Sequence, residues 1–183
     1  MRRALVLLPL LFLGCVAPVC VGETCQCDAA LTCQLPACDR CTSTCGDQAA
    51  CAFGGGHDGR ATCRNSAICT GTLGDRAALT CADAAVCTLT VGHDVTGSCG
   101  NSASCTVDTG DRATFTCVDG VNCTVSTGHD ATLTCQRGAR CTFRTGERAK
   151  ITCSDGANCD VTCQSCTVAC TGGSACTCKG SCG

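Results

Sequence analysis

Cysteine is the residue type with the greatest chemical potential in this sequence, because 27 of its 183 residues are Cys. Thiols can ligate a metal, act as nucleophiles or join in disulfides. Here most of them form Cys-x5-Cys pairs that recur every eighteen residues. The pairs are Cys27/Cys33, Cys45/Cys51, Cys63/Cys69, Cys81/Cys87, Cys99/Cys105, Cys117/Cys123, Cys135/Cys141 and Cys153/Cys159, and Cys170/Cys176 follows after a step of seventeen.

This density and spacing favour disulfides over thiol chemistry. Chains so rich in Cys are disulfide scaffolds, and their bridges persist only in oxidising compartments. The two cysteines of a pair flank a five-residue turn, as in Cys135 and Cys141, so we expect each pair to be bonded to itself. Each bond closes a short loop, for which the chain-entropy estimate is about 2–2.5 kcal/mol.

The remaining cysteines cluster near the two ends of the repeats. They are Cys15, Cys20, Cys25, Cys38 and Cys41, then Cys163, Cys166, Cys178 and Cys182. The Cys-x2-Cys spacings at 38–41 and 163–166 are compatible with half of a zinc site or with a redox motif. These two motifs lie at opposite ends of the repeats and cannot share one ion, so we expect disulfides in both caps, with no metal and no cofactor.

The cysteine pairs belong to a repeat of the whole chain. Residues 110–127 are GDRATFTCVDGVNCTVST and residues 128–145 are GHDATLTCQRGARCTFRT. Within the second unit, residues 131–135 and 139–144 each alternate apolar and polar side chains, and Gly and Arg lie between them. Short alternating stretches rich in Thr and bounded by turn residues are typical of half-buried strands.

Identical units of this size predict an all-β parallel β-solenoid of about eight to nine coils, stapled by disulfides within each coil. Nine coils at roughly 4.8 Å each would form a rod about 43 Å long. Inward columns would stack like on like, for example Leu79, Phe115, Leu133 and Ile151. We assign residues 15–37 to an irregular N-terminal cap, 38–163 to the regular repeats and 164–183 to a Cys-rich C-terminal cap.

A charged corner of each unit supports contact between successive coils. In register, one column contains His57, Asp75, His93, Asp111, His129 and Glu147, and its neighbour contains Asp58, Arg76, Asp94, Arg112, Asp130 and Arg148. Like charges in adjacent strands repel, whereas this alternation with a period of two units predicts a ladder of opposite charges. Metal binding by the three His is the alternative, but neighbouring His would be roughly 9–10 Å apart, too far to share one ion.

The N-terminus predicts export. Arg2 and Arg3 precede an apolar run over residues 4–13, which is too short to span a bilayer and suits a signal peptide over residues 1–14. Residues 11–15, LFLGC, resemble the lipobox of bacterial lipoproteins, which implies cleavage before Cys15 and attachment of a lipid to it. Phe12 and Leu13 depart from that pattern, and the alternative is secretion with cleavage after Gly22. Lipidation of Cys15 would leave 26 cysteines to pair, an even number.

Function is less determined by the sequence than fold. The net charge of −2 gives no reason to expect nucleic acid, and no catalytic constellation or inserted loop occurs within the regular repeats. We therefore expect a non-enzymatic, exported structural or surface-interaction protein of the bacterial cell envelope, held to the outer membrane or cell surface by its lipid, or else secreted. Its Thr-x-Thr stretches, such as 132–134, resemble those of disulfide-stapled insect antifreeze solenoids. This resemblance implies the alternative of a binding module that presents a flat Thr-rich face to ice, a metal or a repetitive polymer.

Overall fold

The protein is built from short strands, two in each eighteen-residue coil. We describe it from a computed structural model that covers residues 19–27 and 30–183. The strands are β1 (Val19–Val21), β2 (Thr24–Cys27), β3 (Thr32–Leu35), β4 (Thr42–Cys45), β5 (Ala50–Phe53), β6 (Arg60–Cys63), β7 (Ile68–Leu73), β8 (Ala78–Cys81), β9 (Val86–Val91), β10 (Thr96–Cys99), β11 (Ser104–Thr109), β12 (Thr114–Cys117), β13 (Asn122–Thr127), β14 (Thr132–Cys135), β15 (Arg140–Cys153), β16 (Asn158–Cys170) and β17 (Ala175–Cys182).

Strands one coil apart pair in parallel and in register. The even-numbered strands from β2 to β14 form one ladder, and the odd-numbered strands from β3 to β13 form the other. The long strands β15 and β16 turn a corner and extend both ladders, and β17 follows β16. The predicted all-β parallel solenoid with disulfides inside its coils is confirmed.

The core is thin and consists of columns of stacked side chains. One column in register contains Ser43, Ala61, Leu79, Gly97, Phe115, Leu133 and Ile151, all of them buried. Gly97 lies beside Phe115, and a Cβ built on this glycine would lie 2.0 Å from Cε2 of the Phe115 ring. The small residue therefore accommodates the large one in the next coil, which keeps the column filled without overpacking.

The corner between the two cysteines of a pair is a tight turn with two residues at positive φ. In one such corner Asn101 and Ser102 have φ of 51° and 61°, and the N–H of Ala103 donates to the carbonyl oxygen of Gly100 over 3.2 Å. This is the backbone of a type I′ turn, which favours Asn, Asp and Gly at its two central positions. The residues that interrupt the apolar–polar alternation in the sequence, such as Asn101 and Ser102, thus lie at the positive φ angles that this turn requires.

The coils become irregular at the C-terminal end. Glu147 pairs with Ser165 at an offset of eighteen, whereas Ala149 pairs with Cys166 at an offset of seventeen. The step of seventeen residues before the Cys170/Cys176 pair is therefore explained by a coil that is one residue shorter at the corner opposite Arg148. A second shift follows between Cys163 and Cys166 where β16 pairs with β17.

The two ends of the rod are finished differently. At the N-terminal end, β1 pairs antiparallel with β2 and the Cys20–Cys25 disulfide joins them, which covers an edge of the first coil. At the C-terminal end, most of β17 is exposed. The predicted signal peptide over residues 1–14 and the predicted lipidation site Cys15 lie outside the described residues. Within the described ranges, no helix has the length and apolarity needed to cross a membrane.

Candidate functional site

The Cys-x5-Cys pairs form a ladder of disulfides through the core. The structure joins each of the nine pairs to itself, with Cα–Cα distances of 6.1–6.6 Å. The bridges are Cys27–Cys33, Cys45–Cys51, Cys63–Cys69, Cys81–Cys87, Cys99–Cys105, Cys117–Cys123, Cys135–Cys141, Cys153–Cys159 and Cys170–Cys176. From Cys27 to Cys159 every member is buried. Such cysteines offer neither a thiolate for metal binding nor a nucleophile, so their contribution is to the stability of the coils.

Two shallow hollows on the outer face of the odd-numbered ladder lie over cysteines of these bridges. The bridge cysteines that contribute to their walls are Cys33 and Cys51 in the first hollow and Cys123 and Cys141 in the second. Cys51 is only 3% exposed, and its sulfur is bonded to that of Cys45. The first hollow therefore presents no free thiol, and Cys51 belongs to a structural bridge rather than to a reactive site.

The column that begins at His57 is held by hydrogen bonds to the backbone of the following coil. The imidazole Nδ1 of His93 accepts the N–H of Asp111 over 2.9 Å, and Oδ1 of Asp111 accepts the N–H of His129 over 2.8 Å. The same contact recurs along the column, with His57, Asp75 and His129 as acceptors for Asp75, His93 and Glu147. Each His of the column thus uses Nδ1 as an acceptor for the next coil, just as the Asp of the intervening coils uses Oδ1.

The charge ladder predicted for this column stays a prediction, because the shortest contacts between its members are hydrogen bonds to backbone N–H groups. The carboxylate contacts of the His side chains are longer, 3.5 Å from His57 Nδ1 to Asp75 Oδ2 and 3.7 Å in the equivalent pair of His93 and Asp111. His and Asp both present an acceptor at the same height here, and the imidazole separates carboxylates that would otherwise repel each other.

Opposite charges meet in the column that begins at Asp58, where each ion pair joins two successive coils. Arg76 donates from Nε and Nη2 to the two carboxylate oxygens of Asp58 over 2.6 and 2.7 Å. The pairs Arg112–Asp94 and Arg148–Asp130 repeat this bidentate geometry. Hydrogen bonds from the guanidinium groups lower the pKa of Asp58, Asp94 and Asp130 and raise the pKa of their Arg partners.

The corner on the other side of the rod contains a second set of rungs. Arg137 makes a bidentate contact with Asp119 at 2.6 and 3.0 Å, and this hydrogen bond lowers the pKa of Asp119. Earlier in the same column Asn65 donates to Asp47 and Asn101 donates to Asp83, over 2.8 and 2.9 Å. The sequence analysis did not identify this pairing. The alternation of Asp with Asn or Arg, again with a period of two units, was the available signal.

These corners leave few free groups for chemistry. Their carboxylates, amides and guanidinium groups bind the adjacent coil, and consecutive His residues are two coils apart. In the described part of the chain, every group of three or more potential metal ligands consists of cysteines. The corners of the described coils therefore hold those coils in register.

The outer faces of both ladders present ranks of hydroxyl groups. A hydroxyl rank on the even-numbered ladder runs in register through Thr44, Thr62, Thr80, Ser98, Thr116, Thr134 and Thr152. The odd-numbered ladder presents Thr70, Thr88, Thr106, Thr124 and Thr142. The rank beside the first one is interrupted by Arg60, Ala78 and Lys150.

The C-terminal cap brings four sulfur atoms together. The structure pairs Cys163 with Cys166 and Cys178 with Cys182, and all four sulfurs lie within 4.8 Å of one another. Sequence reasoning correctly separated the Cys-x2-Cys motif at 38–41 from the one at 163–166, but it missed that the last coil places Cys178 and Cys182 against the latter. The Cys38–Cys41 disulfide lies at the other end of the rod.

Comparison with protein-family models, with curated proteins and with solved structures finds no match to this chain. Its function must therefore be inferred from its own residues. The features that bear on function are the disulfide ladder, the corner side chains that bind adjacent coils, the hydroxyl ranks and the four-sulfur cap.

Proposed function

We propose that this protein is an exported, non-enzymatic structural or surface-interaction component of a bacterial cell envelope, anchored as a lipoprotein through Cys15. The observation that carries the proposal is the pairing of all 26 cysteines in the described residues as thirteen disulfides. A fold that depends on so many bridges requires an oxidising compartment, and the cytosol would keep them reduced.

The pairing also supports the predicted cleavage site. Cleavage before Cys15 retains Cys20, which the structure bonds to Cys25. Cleavage after Gly22 would remove Cys20 and leave Cys25 without its partner. The complete pairing of the remaining cysteines is consistent with Cys15 having another use, for which the lipobox-like residues before it suggest a thioether-linked lipid.

The regularity of the repeats supports a structural role. The corner side chains of this narrow rod bind the adjacent coils, and the outer faces of its strands repeat at the spacing of the coils. Substrate sites are usually concave and combine an apolar lining with a few convergent polar groups. A repetitive outer surface suits an extended partner or a spacer role better than a single small substrate.

Fractionation of cells that express the protein tests the anchor. We expect the wild-type protein in the membrane fraction, with an intact mass that corresponds to residues 15–183 plus lipid. The Cys15→Ser variant should leave the membrane fraction, while Cys20→Ser, which removes a bridge instead, should stay in it. A wild-type protein recovered in soluble form with its N-terminus after Gly22 would contradict the proposal.

The hydroxyl ranks favour a second candidate, a binding module. Seven hydroxyls in register at the strand spacing form a flat periodic surface, which could match a periodic ligand such as ice or a polysaccharide. Thermal hysteresis and co-sedimentation with cellulose would test it, using Thr116→Tyr/Thr134→Tyr and the opposite-face control Thr124→Tyr/Thr142→Tyr. A structural rod predicts that none of these proteins binds, whereas a binder loses activity only in the first variant.

A further inference from the structure

The four-sulfur cap differs from the rest of the disulfide ladder. In the regular coils, stacked bridges also bring sulfurs close, but these groups contain three sulfurs and are buried, as at Cys81, Cys87 and Cys105. In the cap, β16 supplies Cys163 and Cys166 and β17 supplies two further cysteines, so two whole bridges converge. Among the described residues this is the group with the four sulfurs that a structural zinc site requires.

The register shifts of the last coils create this convergence. Cys163 takes the place of Thr145 and Cys166 that of Ala149, so two core positions at one corner have become cysteines. The corner between them is one residue shorter than in the preceding coil. The following coil shortens again and places Cys182 opposite Cys166. The deletions thus bring the last cysteines of the chain over this corner.

The distances suit a tetrahedral metal centre. Zinc–sulfur bonds of about 2.3 Å place neighbouring thiolates of a tetrahedron roughly 3.8 Å apart. The sulfur of Cys182 lies 3.6 Å from that of Cys163 and 3.8 Å from that of Cys166. The ligand spacings, Cys-x2-Cys and Cys-x3-Cys, are also those found in zinc-binding loops. The two sulfurs within each bridge would separate when the disulfides are reduced, and the sulfurs of different bridges already lie within 4.8 Å of one another.

The electrostatic surroundings favour thiolates. Lys150 lines an open pocket at this end of the rod together with Cys166 and Cys182, and Arg148, whose guanidinium is paired with Asp130, also contributes to the pocket wall. A zinc ion bound by four thiolates has a net charge of −2, which cationic side chains stabilise. The pocket also provides a path by which an ion can enter from solvent.

We propose that Cys163, Cys166, Cys178 and Cys182 bind one zinc ion as a tetrathiolate site when their two disulfides are reduced. Two equivalents of a dithiol reductant transfer four electrons and open both bridges, and each reductant becomes a disulfide. Zinc then displaces four protons from the thiols. Reoxidation by a disulfide oxidant re-forms both bridges and releases the ion, so the cap alternates between a covalent and a metal-bound closure.

Solvent accessibility determines which disulfides a reductant opens first. Cys178 and Cys182 are exposed, whereas Cys163 and Cys166 are each 6% exposed and the bridges of the regular coils are buried and stacked between neighbours. Thiol–disulfide exchange requires access of the attacking thiolate to a sulfur atom. A mild reductant therefore reaches the Cys178–Cys182 bridge first, and the thiols that it frees lie within 4.8 Å of the sulfurs of the buried Cys163–Cys166 bridge.

The test uses the folded, oxidised protein, dithiothreitol at increasing concentration, and either Zn²⁺ or Co²⁺ as the probe. After removal of unbound metal we expect one retained ion per chain, and with Co²⁺ the absorption of a tetrahedral thiolate complex. Cys178→Ser/Cys182→Ser should weaken metal affinity by more than the 10–100-fold typical of changes to outer-shell residues. Cys38→Ser/Cys41→Ser removes a Cys-x2-Cys bridge from the other end and should retain the ion.

Circular dichroism shows whether each variant keeps its strands, and the single variant Cys178→Ser serves if the double variant does not fold. Because one lost thiolate already removes the tetrathiolate spectrum, this variant should show altered Co²⁺ absorption. The proposal is wrong if the reduced wild-type cap, with its four thiols titrated, retains no metal. It is equally wrong if Cys178→Ser/Cys182→Ser retains as much metal as the wild type, since the ligands then lie elsewhere.

Discussion

A single added methyl group at Gly97 tests whether the coils stack in register. A Cβ at this position would lie 2.0 Å from Cε2 and 2.2 Å from Cδ2 of Phe115, in the next coil. Ordinary carbon–carbon contacts are about 3.5–4.0 Å, so the ring would have to move by more than an ångström. Leu133 is fully buried on the far side of the ring and restricts that movement.

The expected cost follows from these contacts. Overpacking a close-packed core costs about 1–3 kcal/mol, and replacing Gly by Ala in a strand returns about 0.5–1 kcal/mol of backbone entropy. We therefore expect Gly97→Ala to lower the free energy of unfolding by about 1–2 kcal/mol. Phe115→Leu alone should cost less than the 3–5 kcal/mol typical of Phe→Ala, because part of the side chain remains.

The double variant isolates the contact between the coils. In Gly97→Ala/Phe115→Leu the methyl group enters space that the ring has left, so we expect a favourable coupling of about 0.5–3 kcal/mol. Guanidinium unfolding followed by circular dichroism, with the disulfides intact, measures all three variants. Gly100→Ala is the matched control, because its Cβ would make an ordinary 3.4 Å contact with Val118. Additive effects at Gly97 and Phe115 would refute the stacking of these two residues.

Three further perturbations test a disulfide, an ion pair between coils and a hydrogen bond of the His57 column. Cys135→Ser/Cys141→Ser should cost about 2–2.5 kcal/mol from loop closure alone, measured by guanidinium unfolding; an unchanged midpoint would contradict a stabilising bridge. The hydrogen bond from Arg112 lowers the pKa of Asp94 in the folded state. The stabilisation from this ion pair should therefore be fully present above about pH 4 and be lost on further acidification, when the carboxylate protonates. Arg112→Gln should reduce that acid sensitivity in pH-dependent unfolding, and an identical profile would exclude the rung. His93→Ala should speed hydrogen exchange of the Asp111 amide by about 2- to 10-fold. Unchanged exchange would show that the His93 imidazole is not the acceptor of this N–H.

Much of the fold could be predicted from the sequence because its information is repeated. The recurring Cys-x5-Cys pairs define the coil length, the alternation within residues 131–135 predicts a strand, and repetition of one unit predicts stacking. The two-unit alternation at the corner beginning with His57 indicates contact between successive coils from residue types alone. These inferences depend on periodicity, which a single sequence displays directly.

The atoms that make the contacts could not be predicted in the same way. Residue types in the His57 column indicate charge, but only the geometry shows that Nδ1 and Oδ1 both accept backbone N–H groups. The Asp119–Arg137 rung was missed because turn propensity already explained an Asp at that position. The four-sulfur cap depends on offsets of seventeen and sixteen residues between specific strands, and an irregular pairing is not apparent from a repeat pattern.

Disulfide mapping by mass spectrometry of the mature protein is the most direct test of the central claim, that each coil is stapled to itself. Proteolysis without reduction should release the nine Cys-x5-Cys pairs as within-coil bridges, for example Cys45–Cys51 and Cys117–Cys123. Bridges that join cysteines of different coils, such as Cys51 to Cys63, would contradict the account.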